Sequence, residues 1–365
     1  MKRYRAAVIG LGWMGLLYDL AERTADRFEI DDVNRPTPPL DIHRRTLAHR
    51  HPGDEGLPNS AAEALWIRPD IELIAGADRD RKRLDAFSER YGIQTVYTDA
   101  EEMLRRELPE IVAVCTNTKY RAHFTCLAVE CGAKGIFTEK PMAHTLEEAD
   151  RMVKTCADAG VPLSCGGITT THPSFARARE LVRSGAIGKL LSIDTYGPCA
   201  QHQNWMYFLE SRPVWVVGGG DPPRRESGTD EFGGDALMFT EDGLVVHFRR
   251  GGLMLRLSGE RGEIIYDYIS AWRLWQDVEA IDGVRRVEMP WPAPNFVPPY
   301  GSVYSLADVM DCLAGEMDEP KNSGRRVAAA LEVEIAAKLS SAQGGARVDL
   351  PLTNRSLGLH YDWFR

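Results

Sequence analysis

The sequence predicts a two-domain α/β protein. An N-terminal domain holds a doubly wound parallel sheet, and a C-terminal α/β domain holds a large, open, mostly antiparallel sheet. Three observations carry this. A glycine-punctuated turn follows a buried strand near residue 10. Apolar strands alternate with amphipathic helices as far as Cys165. Beyond about Gly167 the pattern changes to short alternating strands broken by glycines. At 365 residues the chain is too long for one ordinary core, so the boundary is expected near 145, giving domains 1–145 and 146–365.

The turn comes first. Ala6, Ala7, Val8 and Ile9 read as a short buried strand, and Gly10, Gly12 and Gly15 supply G-x-G-x-x-G where that strand would turn into a helix. A dinucleotide pyrophosphate needs this arrangement. The first glycine allows the tight turn, the second lets the backbone approach the phosphates, and the third lets helix and strand pack closely. Gly10, Leu11, Gly12, Trp13, Met14 and Gly15 are therefore cofactor-binding candidates. A glycine-rich turn in an unrelated α/β protein would share this local pattern. Leu16, Leu17 and Leu20 suggest the helix that follows.

From about 24 to 59 the chain turns polar and carries Pro36, Pro38, Pro39, Pro52 and Pro58. A loop of this length is unusual inside a compact unit, so it reads as an insertion between the first helix and the second strand. His43, His49 and His51 have no Cys or carboxylate at ligand spacing and read as solvated surface residues; no metal site is expected.

Order returns with a short helix over Ala61–Trp66 and a buried strand, Ile71 to Asp78, that ends in an acid. An acid at this point bonds ribose hydroxyls and repels a 2′-phosphate, so Asp78 points to NAD. Arg79 follows directly and leaves room for a 2′-phosphate, which keeps NADP as an alternative. The alternation then continues. Helices are expected at 81–91, 100–108, 123–131 and 146–159, and strands at 94–97, 111–115, 135–138 and 162–165. Ligands of such sheets sit outside the carboxyl ends of the strands. Gly10–Gly15, Asp78, the loop Thr116-Asn117-Thr118 and the turn Glu139-Lys140-Pro141 all fall there.

In the second domain a helix is expected at 174–184 and a strand at 190–196. Alternating segments at 244–248, 253–257, 263–268 and 272–275 form the antiparallel sheet, with helices at 305–313 and 324–341. The net charge of −9 argues against an extended nucleic-acid footprint. MKRYR runs into the first strand without the apolar core of a signal peptide, and no stretch approaches the roughly 18 apolar residues of a membrane span; a cytoplasmic protein is expected. Seven cysteines, odd in number, scattered and without C-x-x-C spacing, read as reduced thiols.

At Glu139-Lys140-Pro141 the chain resembles the Gfo/Idh/MocA family, the glucose–fructose oxidoreductase and inositol dehydrogenase relatives. Further stretches support this: GLGWMG at 10–15, AD at 77–78, TEKPMA at 138–143, SGAIGKLLSI at 184–193, GERGEIIYD at 259–267, and the long stretch from EPKNSGRR to VDLPL at 319–352. The resemblance implies an N-terminal Rossmann domain binding NAD or NADP. It also implies a second domain whose sheet joins a homodimer or homotetramer and walls a cleft for a sugar, cyclitol or polyol. It puts Glu139 and Lys140 beside the nicotinamide, with Lys140 stabilising the alkoxide that forms as a secondary hydroxyl is oxidised. A cis bond before Pro141 would be family-like.

The chain departs from the family where a D-x-G-x-H-x-x-D-like stretch supplies the acid/base. The matching region is 197–209, with Gln201 at the histidine position and Asn204 at that of the later aspartate. His202, one residue away, is the candidate proton shuttle; a surface or structural histidine is the competing reading. His172 and Tyr196 are reserve candidates, and Asn204 and Gln203 suit sugar hydroxyls. Arg121 stands where the family often has a histidine. Trp205, Trp215, Trp272, Trp275 and Trp291 suit sugar rings or the core. Asp221–Glu231 reads as a polar loop bordering the cleft, with Arg224 and Arg225 as acidic-substrate contacts or solvated surface.

The resemblance thus implies an NAD(P)-dependent oxidoreductase moving a hydride between nicotinamide and a secondary hydroxyl or ketone. The altered 197–209 stretch leaves two alternatives. One is a redox-neutral enzyme that oxidises transiently, then eliminates or epimerises; the other is a non-catalytic nucleotide-binding regulator.

Overall fold

Short runs of Ala, Val, Ile and Leu build the first sheet. Its strands are β1 (Tyr4–Ile9), β2 (Ile71–Ala77), β3 (Val96–Tyr97), β4 (Ile111–Val114), β5 (Gly135–Thr138) and β6 (Leu163–Cys165). The structure is a computed structural model that describes residues 3–19, 58–166, 170–196, 203–221, 231–250, 254–267, 271–292 and 302–360. All of β4 and β5 is buried, as suits strands covered on both faces. The six strands are parallel in the order β3-β2-β1-β4-β5-β6. The order reverses between β1 and β4, which is where open α/β sheets bind ligands.

Helices follow the strands: α1 (Ala61–Trp66), α2 (Arg81–Tyr91), α3 (Ala100–Glu107), α4 (Thr118–Glu130) and α5 (Leu146–Asp158). Their starts are set by side chains. Ser60, Asp80 and Asp99 each accept backbone N–H groups of the first turn of α1, α2 and α3.

The chain divides into two units: residues 1–143, 148–171 and 299–324, and residues 144–147, 172–298 and 325–365. The first unit thus reaches past the boundary expected near 145. β6 pairs with β5 as the sixth parallel strand and so keeps most of α5 in the first unit. α7 (Val303–Ala314) also joins it from the far end of the chain, with Val309 lying over Gly135 of β5.

Residues 20–57, and with them most of the expected insertion, the three histidines and Leu20, lie outside the described residues. The points where the chain leaves and returns are joined. The buried Asp19 carboxylate accepts from Asn59 N (3.1 Å), Ser60 N (2.8 Å) and Ser60 Oγ (2.6 Å).

The second unit is built on a nine-stranded sheet. In chain order its strands are β7 (Leu190–Tyr196), β8 (Pro213–Gly219), β9 (Asp235–Thr240), β10 (Val245–Arg249), β11 (Met254–Gly259), β12 (Gly262–Asp267), β13 (Ala271–Ala280), β14 (Gly283–Met289) and β15 (Val348–Asp349). Across the sheet the order is β14-β13-β12-β11-β7-β10-β9-β8-β15; β7 and β10 run parallel and the other pairs antiparallel.

Helices α6 (Pro173–Arg183) and α8 (Gly324–Ala342) complete the unit. Phe175 of α6 meets Trp272 edge-on at 4.9 Å, Trp272 stacks on Trp291 at 5.2 Å, and Trp205 meets Phe248 at 5.0 Å. Trp205 and Trp272 are buried, so of the two roles open to them the structure gives the core. β8 escapes sequence reading because Pro213 opens it and two glycines close it; pairing with β9 makes it a strand.

Candidate dinucleotide and lysine site

Strands β1, β2, β4 and β5 deliver the site residues at their carboxyl ends. After β1, Gly10 has φ +87°, and a Cβ on it would lie 2.7 Å from the Cys115 carbonyl oxygen. A Cβ on Gly15 would lie 1.9 Å from the Gly10 oxygen. These two glycines are required by the protein's own packing. Gly12 is different. Its φ is −73°, and a Cβ there would meet nothing nearer than Arg83 Nη1 at 3.8 Å. The expected helix begins as a π-helical turn over Trp13–Leu17, with Leu16 N–H and Leu17 N–H both donating to the Gly12 carbonyl, and continues through Tyr18 and Asp19. Trp13 and Met14 are half-buried on this turn, and Leu11 is buried.

Asp78 follows β2 and is tied to the glycine turn. Leu11 N–H donates to its Oδ2 at 2.7 Å and Asp80 N–H to its Oδ1 at 2.8 Å. Arg83, on the first turn of α2, lies 3.5 Å from the Asp78 carboxylate. Sequence reading missed Arg83; the signal was a basic residue five positions after the strand-end acid. Arg79 is exposed, and its guanidinium lies 5.8 Å from the centre of the Tyr120 ring.

The loop after β4 and the turn after β5 are joined by Arg121. This guanidinium is 2 % exposed. Its Nε donates to the Thr116 carbonyl at 3.0 Å, and its Nη1 donates to Thr118 Oγ1 at 3.4 Å and to the Pro141 carbonyl. Asn117 occupies the N-cap position of α4 without a side-chain capping bond. The Lys140–Pro141 peptide is cis.

Glu139 is buried; its Oε2 accepts Lys140 N–H at 3.1 Å, and its Oε1 has no hydrogen-bond partner among the described residues. Burial pushes the Glu139 carboxyl up, against the opposing fields of Arg121 and Lys140. The Cys115 and Cys165 thiols are likewise pushed up by burial, and Cys156 is pushed up to about 12. Six cysteines among the described residues are free thiols; Cys199 lies outside them.

Gly10 to Gly15, Asp78, Thr116 to Thr118, Glu139 and Lys140 thus gather at one sheet edge. The second-unit candidates fare differently. His172 is a helix cap: its Nδ1 accepts Ser174 N–H at 3.1 Å, and the residue is fully buried at the start of α6. That bond gives Nδ1 a local structural role. Tyr196 ends β7 opposite Arg249. Asn204 lies in a 3-10 helix, Gln203–Phe208, and is buried; its Oδ1 has no hydrogen-bond partner among the described residues. His202, Gln201, Arg224 and Arg225 lie outside the described residues.

Among the described residues no group of three or more His, Cys, Asp or Glu side chains is arranged to hold a metal, and no helix is long and apolar enough to cross a membrane.

Residues 56–166 match the Gfo/Idh/MocA family, described as an oxidoreductase family with an NAD-binding Rossmann fold. A D-apiose dehydrogenase from Paraburkholderia graminis is 35 % identical over 32 % of this chain and 31 % of its own length. A myo-inositol 2-dehydrogenase from Thermotoga maritima is 30 % identical over 35 % of this chain and 38 % of its own. The match thus spans about a third of the length of these curated relatives. The solved structure of an NAD-binding oxidoreductase from Klebsiella pneumoniae superposes with a TM-score of 0.69, covering 96 % of this chain and all of the other at 15 % identity, a likeness of fold.

Proposed function

We propose that the chain, whose residues 56–166 match the Gfo/Idh/MocA oxidoreductase family, is an NAD-dependent dehydrogenase acting on a secondary hydroxyl of a sugar, cyclitol or related polyol. Gly12 carries the reading. Neither backbone conformation nor packing requires a glycine there. The requirement is that of a pyrophosphate whose approach a Cβ would obstruct. Gly10 to Gly15 would hold the pyrophosphate, and Asp78 the ribose hydroxyls. The two N–H groups that Asp78 already accepts pre-set its carboxylate, which favours NAD; Arg79 beside it keeps NADPH as a competing titrant.

The bound nicotinamide supplies the hydride acceptor. Lys140 donates a hydrogen bond to the reacting hydroxyl and stabilises the oxygen as its proton leaves. Arg121 and Glu139 hold the turn on which Lys140 stands. His202 takes the proton in this reading, on the strength of sequence spacing. The relatives' names support a polyol substrate. A homodimer or homotetramer joined through the nine-stranded sheet, in the cytoplasm, completes the proposal; sedimentation velocity checks the assembly.

Fluorescence titration with NADH and NADPH, followed by a polyol panel read by NADH absorbance, tests the proposal. Gly12→Ala is expected to weaken NADH about tenfold or more with unchanged thermal stability, because the new methyl meets ligand and not protein. Failure of the wild type to bind either nucleotide overturns the reading. Asn204 favours one variant of it: an amide stands where the family places an acid, which suits a redox-neutral cycle. NAD that stays bound through purification, with an isomerised or cleaved product and no net NADH, would select that variant.

A further inference from the structure

The turn that carries Lys140 is shaped from outside its own strand. Gly166 follows β6 with φ +38°. A Cβ on it would lie 2.5 Å from Lys140 Cβ, 2.6 Å from Lys140 N and 2.9 Å from Lys140 Cα. The backbone at 166 is thus pressed against the backbone at 140, closer than any side chain would allow. Two hydrogen bonds hold it there. Gly166 N–H donates to the Thr138 carbonyl at 2.7 Å, and the Gly166 carbonyl accepts from Asn322 Nδ2 at 2.6 Å, from 156 residues away in the chain.

Asn322 is 2 % exposed and grips the end of β6 twice, because its carbonyl also accepts Cys165 N–H at 2.9 Å. Its neighbours anchor it. Lys321 N–H donates to Asp308 Oδ2 at 2.9 Å, and Lys321 Nζ pairs with the same buried carboxylate on α7. Ser323 forms a β-bridge with Ser164. The stretch EPKNSG, singled out in the sequence, therefore brings one amide group to the back of the Lys140 turn.

We propose that Asn322 is a positioning residue for Lys140, acting through Gly166. It sets the height and direction of the Lys140 backbone from behind, while Arg121 holds the Pro141 carbonyl beyond it. Loss of the amide frees the Gly166 carbonyl and lets the 166 backbone move away from Lys140. Misplacement of a reacting group by about 1 Å costs on the order of a hundredfold in turnover, so the consequence for catalysis rests on the dehydrogenase reading. The geometric consequence does not.

The test uses the full chain and needs no substrate. Competitive acetylation with acetic anhydride at about pH 8, read by mass spectrometry, measures Lys140 against the exposed Lys154. Asn322→Ala and Asn322→Asp are expected to raise the Lys140:Lys154 labelling ratio about threefold or more, and Asn322→Ser, which keeps a donor, by less. Asp19→Ala loosens the same unit elsewhere and should leave the ratio unchanged. With a polyol substrate in hand, Asn322→Ala should lower kcat about tenfold at unchanged substrate KM and NADH affinity. An unchanged ratio in folded Asn322→Ala or Asn322→Asp overturns the proposal, as does an equal rise in Asp19→Ala. If the wild type fails to bind NADH while the ratios shift as expected, the dehydrogenase reading falls and the positioning role stands.

Discussion

The carboxyl edge of the parallel sheet and the 3-10 helix Gln203–Phe208 both carry residues that the sequence marks for function, and they are built in opposite ways. At the sheet edge the positions are set by backbone. Leu11 N–H meets Asp78, Arg121 joins the Thr116 and Pro141 carbonyls, and Gly166 abuts Lys140. On the 3-10 helix, Asn204 Oδ1 and Trp205 Nε1 are buried without hydrogen-bond partners among the described residues. An unmade buried bond costs about 1–3 kcal/mol, and native proteins keep few. In the first region Asp78, Arg121 and Gly166 are tied into the surrounding backbone, and Glu139 Oε1 is the buried atom left without a partner among the described residues. The second keeps hydrogen-bonding capacity that the described residues do not use.

The largest test of this contrast is Lys140→Met. Turnover should fall about a thousandfold, within the range for loss of a general acid/base group, while NADH affinity stays near that of the wild type. Steady-state rates and fluorescence titration measure the two; equal losses in both would make Lys140 a binding residue.

Next is Asp19→Ala, which orphans buried donors at Asn59 and Ser60 and should cost about 3 kcal/mol in urea unfolding. Replacing residues 20–57 by a short Gly/Ser linker with Asp19 retained should leave the midpoint close to that of the wild type. A collapse of stability there would mean that the insertion holds the sheet edge together.

Glu139 gives a pH effect of known sign. Burial raises its folded-state pKa, so the native chain holds the proton to higher pH than the unfolded chain does. The stability is full below the ordinary carboxyl range and falls as pH rises through the raised value, by at most about 1.4 kcal/mol per pH unit. Glu139→Gln should flatten that slope in urea midpoints taken from about pH 4 to pH 8.

Asn204→Leu is the smallest effect and the sharpest for the second region. Removing an orphaned buried polar atom should raise stability by about 1 kcal/mol. If that atom meets substrate, the polyol KM should rise about tenfold with kcat and NADH affinity little changed. A gain in stability without a change in KM would reduce Asn204 to a packing residue.

Much of the first unit was legible because its signals are local. A glycine motif, an acid at a strand end and a Glu-Lys-Pro turn lie within a few residues of the strands that position them. Periodicity identified those strands. His172 shows the complementary case. A histidine before a proline at a helix start is also a cap, and burial at the start of α6 is what distinguishes the two roles.

The sequence by itself determined the alternation of strand and helix, the parallel sheet, the glycine turn and the strand-end positions of Asp78 and Lys140, since each depends on neighbours in the chain. Tertiary structure alone decided that α7 and Asn322 return to the first sheet, that Asp19 closes the base of the insertion, and that Arg121 spans two loops. The physical reason is that these are packing contacts and hydrogen bonds that reach across the chain, from α7 to β5, from Asn322 to Gly166, from Asp19 to Ser60 and from Arg121 to Pro141. Such bonds leave no period in the sequence, and only the folded chain brings donor and acceptor together.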